Sequence, residues 1–216
     1  LSIYQLKSAF QSLLRPTVVQ LAKLGVTANS VTLTAMLLSI ALGVLLVCTT
    51  VAMFNLHNLQ LVWLLLPVWL FLRMALNAID GMLAREHQQK SHLGAILNEV
   101  GDVVSDLALS IPFVVLAWRF DDLVATLLMC SVLLVALLTE FIGVLGPMLG
   151  ASRRYDGPLG KSDRAFMFGA VALAYGLGWI SAGVTVLSWV FGVALLLSLL
   201  TCWNRIRAML AEVNHA

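Results

Sequence analysis

Between Leu76 and Asp106 the stretch LNAIDGMLAREHQQKSHLGAILNEVGDVVSD gathers acids, amides, an arginine and a lysine at helical intervals. Asn77, Asp80 and Ala84 follow in steps of three and four, and Gly94, Asn98, Asp102 and Asp106 in steps of four. Each set lies along one face of a helix. Two facing helices of this kind offer a ring of oxygen ligands, the donor set of hard cations such as Mg2+ or Mn2+. Gly81 and Ala84 lack bulk, so a planar group can approach the helix backbone there. Arg85 supplies a fixed cation where that group's phosphates would sit. A cation site, an arginine and small residues together point to phosphoryl-transfer chemistry on a nucleotide.

The elements that must carry these residues are membrane helices. Hydrophobic residues make up 61% of the 216 and charged residues 11%, whereas a soluble domain carries about a quarter charged. The solvent of this chain is therefore mostly lipid. A net charge of +2 is too small to point to nucleic acid. Six apolar segments, near 31–53, 59–82, 93–117, 122–149, 163–180 and 183–203, are each close to spanning length. Ahead of them, Ile3, Leu6, Phe10, Leu13, Leu14, Val18 and Leu21 alternate with Lys7, Arg15 and Lys23 as in an amphipathic interfacial helix, with Pro16 a candidate kink or restart. GVTANSVT reads as a turn into a helix capped by Asn29 or Ser30. The expected fold is thus all-α and polytopic: one domain over 1–216, with an interfacial helix and turn over 1–28 and a six-helix bundle over 29–216.

Lysines and arginines fall in alternate connections: Lys7, Arg15 and Lys23; Arg85 and Lys90; Arg153, Arg154, Lys161 and Arg164; Arg205 and Arg207. The opposite connections, TTVAMFNLHN, WRFDD and WISAG, are nearly devoid of them. The positive-inside rule then puts both termini in the cytoplasm and the polar stretch at the cytoplasmic end of spans two and three. The N-terminus does not read as a cleaved signal peptide, and the absence of an initial Met is consistent with a few trimmed residues. Cys48, Cys130 and Cys202 lie in apolar runs without C-x-x-C spacing and read as buried core residues.

The polar stretch resembles the signature of the CDP-alcohol phosphatidyltransferases, D-x-x-D-G-x-x-A-R, eight residues, then G-x-x-x-D-x-x-x-D. Asp80, Gly81, Ala84, Arg85, Gly94 and Asp102 stand at signature positions, while Asn77 and Asn98 replace its first and third Asp. The interfacial helix, TANSVT before span one, the six spans and GPLGKSDRA before span five extend the resemblance over nearly the whole chain. It implies an enzyme of phospholipid biosynthesis in a bacterial inner membrane. Such an enzyme passes a phosphatidyl group from a CDP-linked lipid, usually CDP-diacylglycerol, to an alcohol acceptor and releases CMP. It also implies one or two divalent cations and a homodimer among membrane lipids. On the matching positions, Asp80 is a metal ligand and Asp102 a ligand or the general base. Gly81 and Ala84 give room to cytidine, Arg85 contacts phosphate, and Gly94 belongs to the nucleotide site. The amides of Asn77 and Asn98 can still ligate a cation, without formal charge. Glu99, beside Asn98, and Asp106, one turn past Asp102, are candidates to restore the missing charge. Shifting the register so that Asp102 and Asp106 form the last pair leaves Gly94 out of place.

Outside the signature, Arg73 and Asp106 lie about 10–12 Å along the helix axes from it and are expected to meet or to share an acceptor-side cavity. Glu140 is an intramembrane acid that either lines the pocket or pairs locally. Lys161, Arg153, Arg154 and Arg164 either follow the charge bias or form a basic collar for a lipid phosphate or an anionic acceptor, with Lys161 the first choice. His87 and His92 read as solvated loop residues, and the glycines of GVLGPMLG and AYGLG as close helix packing. A family member without catalysis, serving as a lipid- or partner-binding scaffold, is the second reading, carried by the two Asn. Composition alone would favour a transporter.

Overall fold

Apolar residues run for twenty or more positions between short polar breaks, and in lipid only a helix satisfies every backbone group within one segment. The computed structural model describes residues 3–52, 59–120, 122–181 and 185–214. These form seven α-helices and no strand: α1 (Ile3–Lys23), α2 (Ala28–Ala52), α3 (Leu65–Glu86), α4 (His92–Arg119), α5 (Leu123–Met148), α6 (Lys161–Gly176) and α7 (Val186–Asn214). A 3-10 turn, Leu59–Leu64, leads into α3. Parts of three expected connections, residues 53–58, Asp121 and residues 182–183, lie outside the described residues, as do the side chains of Ile3, Leu6 and Lys7.

Among the described residues five helices are long and apolar enough to cross a membrane: α2, α3 with its 3-10 lead, α4, α5 and α7. Large apolar side chains are exposed along the helices, Phe166 at 81% and Trp189 at 74% among them, and so extended an apolar surface suits lipid rather than water. The fifth expected span is shorter than its apolar run. With 16 residues α6 rises about 24 Å, less than the hydrocarbon core of about 30 Å. Its stop is local. The Gly178 N–H donates to Tyr175 O and the Trp179 N–H to Ala174 O, a Schellman closure that needs a left-handed residue, and Gly178 provides it at φ 77°. In AYGLG, then, Gly178 ends a helix, whereas Gly176 does pack closely: a methyl there would stand 2.6 Å from Leu64.

The chain forms two compact units, residues 1–42 with 68–109, and residues 43–67 with 110–216. In the first, α1 turns its apolar side inward. Val18, Ala28, Val31, Ile79, Met82 and Leu83 form a buried cluster flanked by Leu14, Leu21 and Ala22. Helix α1 continues through Pro16 without a restart. Arg15 Nη2 meets Glu86 Oε1 at 3.1 Å, and Trp69 Nε1 donates to Ser39 Oγ at 3.0 Å. The cap of α2 is Thr27 rather than Asn29 or Ser30. The Ser30 N–H donates to Thr27 Oγ1 at 3.1 Å, and Ser30 Oγ accepts from the Thr27 N–H at 3.2 Å. Ser30 thus closes the box from the third helical position.

The second unit is built on an aromatic core. Trp63 meets Phe113 and Tyr175 edge to face at 5.1 and 5.2 Å, and Phe113 stacks on Phe168 at 5.0 Å. Its loop before α6 is threaded tightly past α7. Gly157, at φ 126°, lies so close to Thr201 that a methyl would stand 2.5 Å from Cγ2 and 2.7 Å from Cα. The Leu159 N–H donates to Thr201 Oγ1 at 3.0 Å. Replacing Gly157 with Ala combines backbone strain with overpacking and is expected to cost about 2–4 kcal/mol. Thermal unfolding in detergent reads this loss.

Candidate functional site

The buried cluster of the first unit fixes which way α3 faces. Ile79, Met82 and Leu83 are held inward, so Asn77, Gly81 and Ala84, at steps of four and three, share another side. A hollow of about 680 Å³ opens there, lined by Asn77, Asp80, Gly81, Ala84 and Arg85 of α3 and by Gly94 and Asn98 of α4. The start of α2 contributes Asn29 and Thr32. Gly94 admits that helix: a methyl on it would stand 2.8 Å from Asn29 Oδ1 and 3.0 Å from Ser91 Oγ. Ser91 also caps α4, accepting from the Gly94 N–H at 2.9 Å. A methyl at Gly81 would stand 3.3 Å from both terminal nitrogens of Arg85, so the guanidinium lies back over that glycine.

Asp80 is only 5% exposed, and Thr32 Oγ1 donates to its Oδ2 at 2.7 Å. Asp102 sits one turn below Asn98 and is not among the residues lining the hollow. Its Oδ1 accepts from Asn77 Nδ2 at 3.2 Å and from Arg73 Nη2 at 3.3 Å. Arg73 and Asp106 meet as expected, with Nη1 at 2.6 Å from Oδ1, and Arg73 Nη2 also donates to the Asp102 carbonyl at 3.1 Å. Glu99 is half-buried and off the hollow's lining. His92 does line it, whereas His87 does not.

No group of three or more His, Cys, Asp or Glu among the described residues is placed to hold a metal ion. A cation here would instead need the amide oxygens. Asp80, Asn77 and Asn98 line the hollow together, and carboxylate and amide oxygens are the donor type of hard divalent ions.

Spacing did not reveal Thr32 or Gln89. Gln89 Oε1 accepts from the Ala28 N–H at 2.7 Å and its Nε2 donates to Val26 O at 3.4 Å, tying the α3–α4 connection to the start of α2. Asn29 and Thr32, three apart at the head of an apolar helix, carried the only readable signal.

The basic residues of the second unit are largely engaged with acids and carbonyls. Arg154 reaches Asp156 Oδ2 at 2.8 Å and Glu212 Oε2 at 2.6 Å. Its hydrogen bond holds the Asp156 carboxyl below the usual carboxylate range. Arg164, 4% exposed, donates to Thr139 Oγ1 at 3.1 Å and to Glu140 Oε1 at 3.0 Å. Arg205 is not a free rim charge. At 2% exposure it donates to Asp156 O at 3.2 Å and to the Thr139 carbonyl, with Glu140 Oε1 3.8 Å away. Glu140 thus pairs locally with two buried guanidiniums. Arg153 lies 5.0 Å over the Tyr155 ring, and Lys161 is the first residue of α6.

The CDP-alcohol phosphatidyltransferase pattern matches residues 25–200, and the chain belongs to that family. It is 45% identical over 212 residues to the inner membrane protein YnbA of Escherichia coli K12, covering 97% of each chain. Its fold is shared with a Mycobacterium tuberculosis phosphatidylinositol phosphate synthase. The form with CDP-DAG bound superposes with a TM-score of 0.69 at 19% identity, covering 90% of this chain and 92% of the other. The form in complex with manganese and citrate gives 0.67 at 20% identity, covering 90% and 87%.

Proposed function

We propose that the chain is an integral membrane phosphotransferase of phospholipid biosynthesis. It moves the phosphatidyl group of a CDP-linked lipid, CDP-diacylglycerol, to an alcohol acceptor and releases CMP. The observation that carries this is the convergence of Asn77, Asp80, Gly81, Ala84, Arg85, Gly94 and Asn98 on one hollow, in a chain that belongs to this family. The fold neighbour with CDP-DAG bound supports the lipid class, and the manganese complex supports a divalent cation.

Asn77, Asp80 and Asn98 would hold a Mg2+ or Mn2+ ion, with Asp102 next to them as a further ligand or as the general base; the ion when bound withdraws charge from the pyrophosphate. Arg85 adds a guanidinium to the same phosphates, so CMP departs with less charge build-up. Gly81, Ala84 and Gly94 are the proposed nucleotide-site residues, Gly81 by giving the Arg85 guanidinium room and Gly94 by admitting Asn29 of α2. Asp102 accepts the proton of the acceptor hydroxyl as its oxygen attacks phosphorus. Lys161 and Arg153 are the proposed contacts to a lipid phosphate or an anionic acceptor, whereas Arg154 and Glu140 serve first in the ion pairs they make. The whole chain acts as one domain with six crossings, α6 completing its passage with flanking residues, and α1 lies in the interface. Both termini face the cytoplasm of a bacterial inner membrane, and the working form is a homodimer.

Purified protein given labelled CDP-diacylglycerol, Mn2+ or Mg2+ and a panel of alcohols is expected to release CMP with one of them. The two Asn favour the scaffold reading, and the same assay decides it. No release from the native chain, with release gained by Asn77→Asp combined with Asn98→Asp, assigns a non-catalytic role.

A further inference from the structure

Arg73 stands on α3 one turn before Asn77 and is only 4% exposed. A guanidinium keeps its proton in a protein, and an apolar segment tolerates such a charge only when it is answered. Two carboxylates answer it: Asp106 at 2.6 Å and Asp102 at 3.3 Å. The Asp102 oxygen that Arg73 reaches is the one to which Asn77 Nδ2 donates. A carboxylate at residue 77 would set two anionic oxygens at about this separation, and a cation or a shared proton would have to lie between them. The amide removes that need by bringing its own hydrogen. Asp102 is therefore oriented by two donors of the protein itself.

We propose that Arg73 is a built-in cation of this site and a positioning residue for Asp102. Together with the Asn77 amide it does what a further metal ion would otherwise have to do, and the chain takes up a single divalent ion through Asp80 and the amide oxygens of the hollow. The proposal rests on the transfer reading only in that the hollow binds a divalent ion.

The test counts Mn2+ bound to the purified full-length chain by equilibrium dialysis and metal analysis, without lipid or nucleotide. One ion per native chain is expected. Arg73→Gln removes the internal cation and Asn77→Asp adds a carboxylate beside Asp102; each is expected to bind a second ion. Arg73→Lys keeps the charge and stays at one. If Arg73→Gln does not fold, Asn77→Asp decides. None or two ions on the native chain, or either folded variant remaining at one, overturns the proposal. The count is independent of CMP release, so an inactive chain that binds one Mn2+ would sink the transfer reading and leave Arg73 as assigned.

Discussion

Replacing Asp102 with Asn lowers the rate of CMP release by about 10²–10⁴-fold, the range lost when a positioned general base is removed. The change is nearly isosteric. An Asn at 102 still offers an oxygen to Asn77 and Arg73, and Arg73 keeps its 2.6 Å partner Asp106, so the helices stay in register. What disappears is the carboxylate proposed to take the acceptor's proton. The apparent affinity for CDP-diacylglycerol changes far less, because the proposed lipid-side contacts are Arg85 and the small residues around it. Initial rates of labelled CMP release across lipid concentrations check both halves. A rate within about threefold of the native chain would mean that Asp102 does no proton transfer.

Removing the Glu140 carboxylate costs stability rather than chemistry. Glu140→Leu leaves Arg164 and Arg205, 4% and 2% exposed, without the acid that both approach. Breaking a buried ion pair from one side costs about 3–5 kcal/mol, mainly because the surviving charge stays desolvated. Here two charges survive. The unfolding midpoint in detergent is expected to fall by about 10 °C. If Glu140→Leu melts like the native chain but loses CMP release, Glu140 lines a substrate pocket instead of closing an ion pair.

These two cases show where the sequence is legible. Helix faces could be read because a residue at step three or four must share a side with its predecessor: of the expected faces, Asn77, Asp80, Ala84, Gly94 and Asn98 line the hollow, whereas Asp102 and Asp106 lie off it and meet Arg73 instead. Helix ends were readable only where the stop is local. The Gly178 closure shortens α6 although the apolar run continues to either side, because hydropathy does not register a left-handed residue. The Thr27 cap was missed because Asn29 and Ser30 cap equally well on paper, and only the actual turn chooses among them. Thr32 enters the hollow from α2, and Gln89 from the spacer between Arg85 and Gly94, where the signature specifies no residue type. Arg205 was hidden by a competing cause: an arginine at a helix end satisfies the charge bias whether it faces water or, as here, is sealed inside.

Helix α1 has a practical role in this arrangement. Val18 is fully enclosed with Ile79, Met82 and Leu83, so the amino-terminal arm acts as a splint along the reverse of the signature helix. Asp80 and Gly81 ride on the strip that this splint braces. Lifting the arm, by truncation or by a detergent that competes for its apolar edge, would loosen the floor of the hollow from behind without changing any residue that lines it.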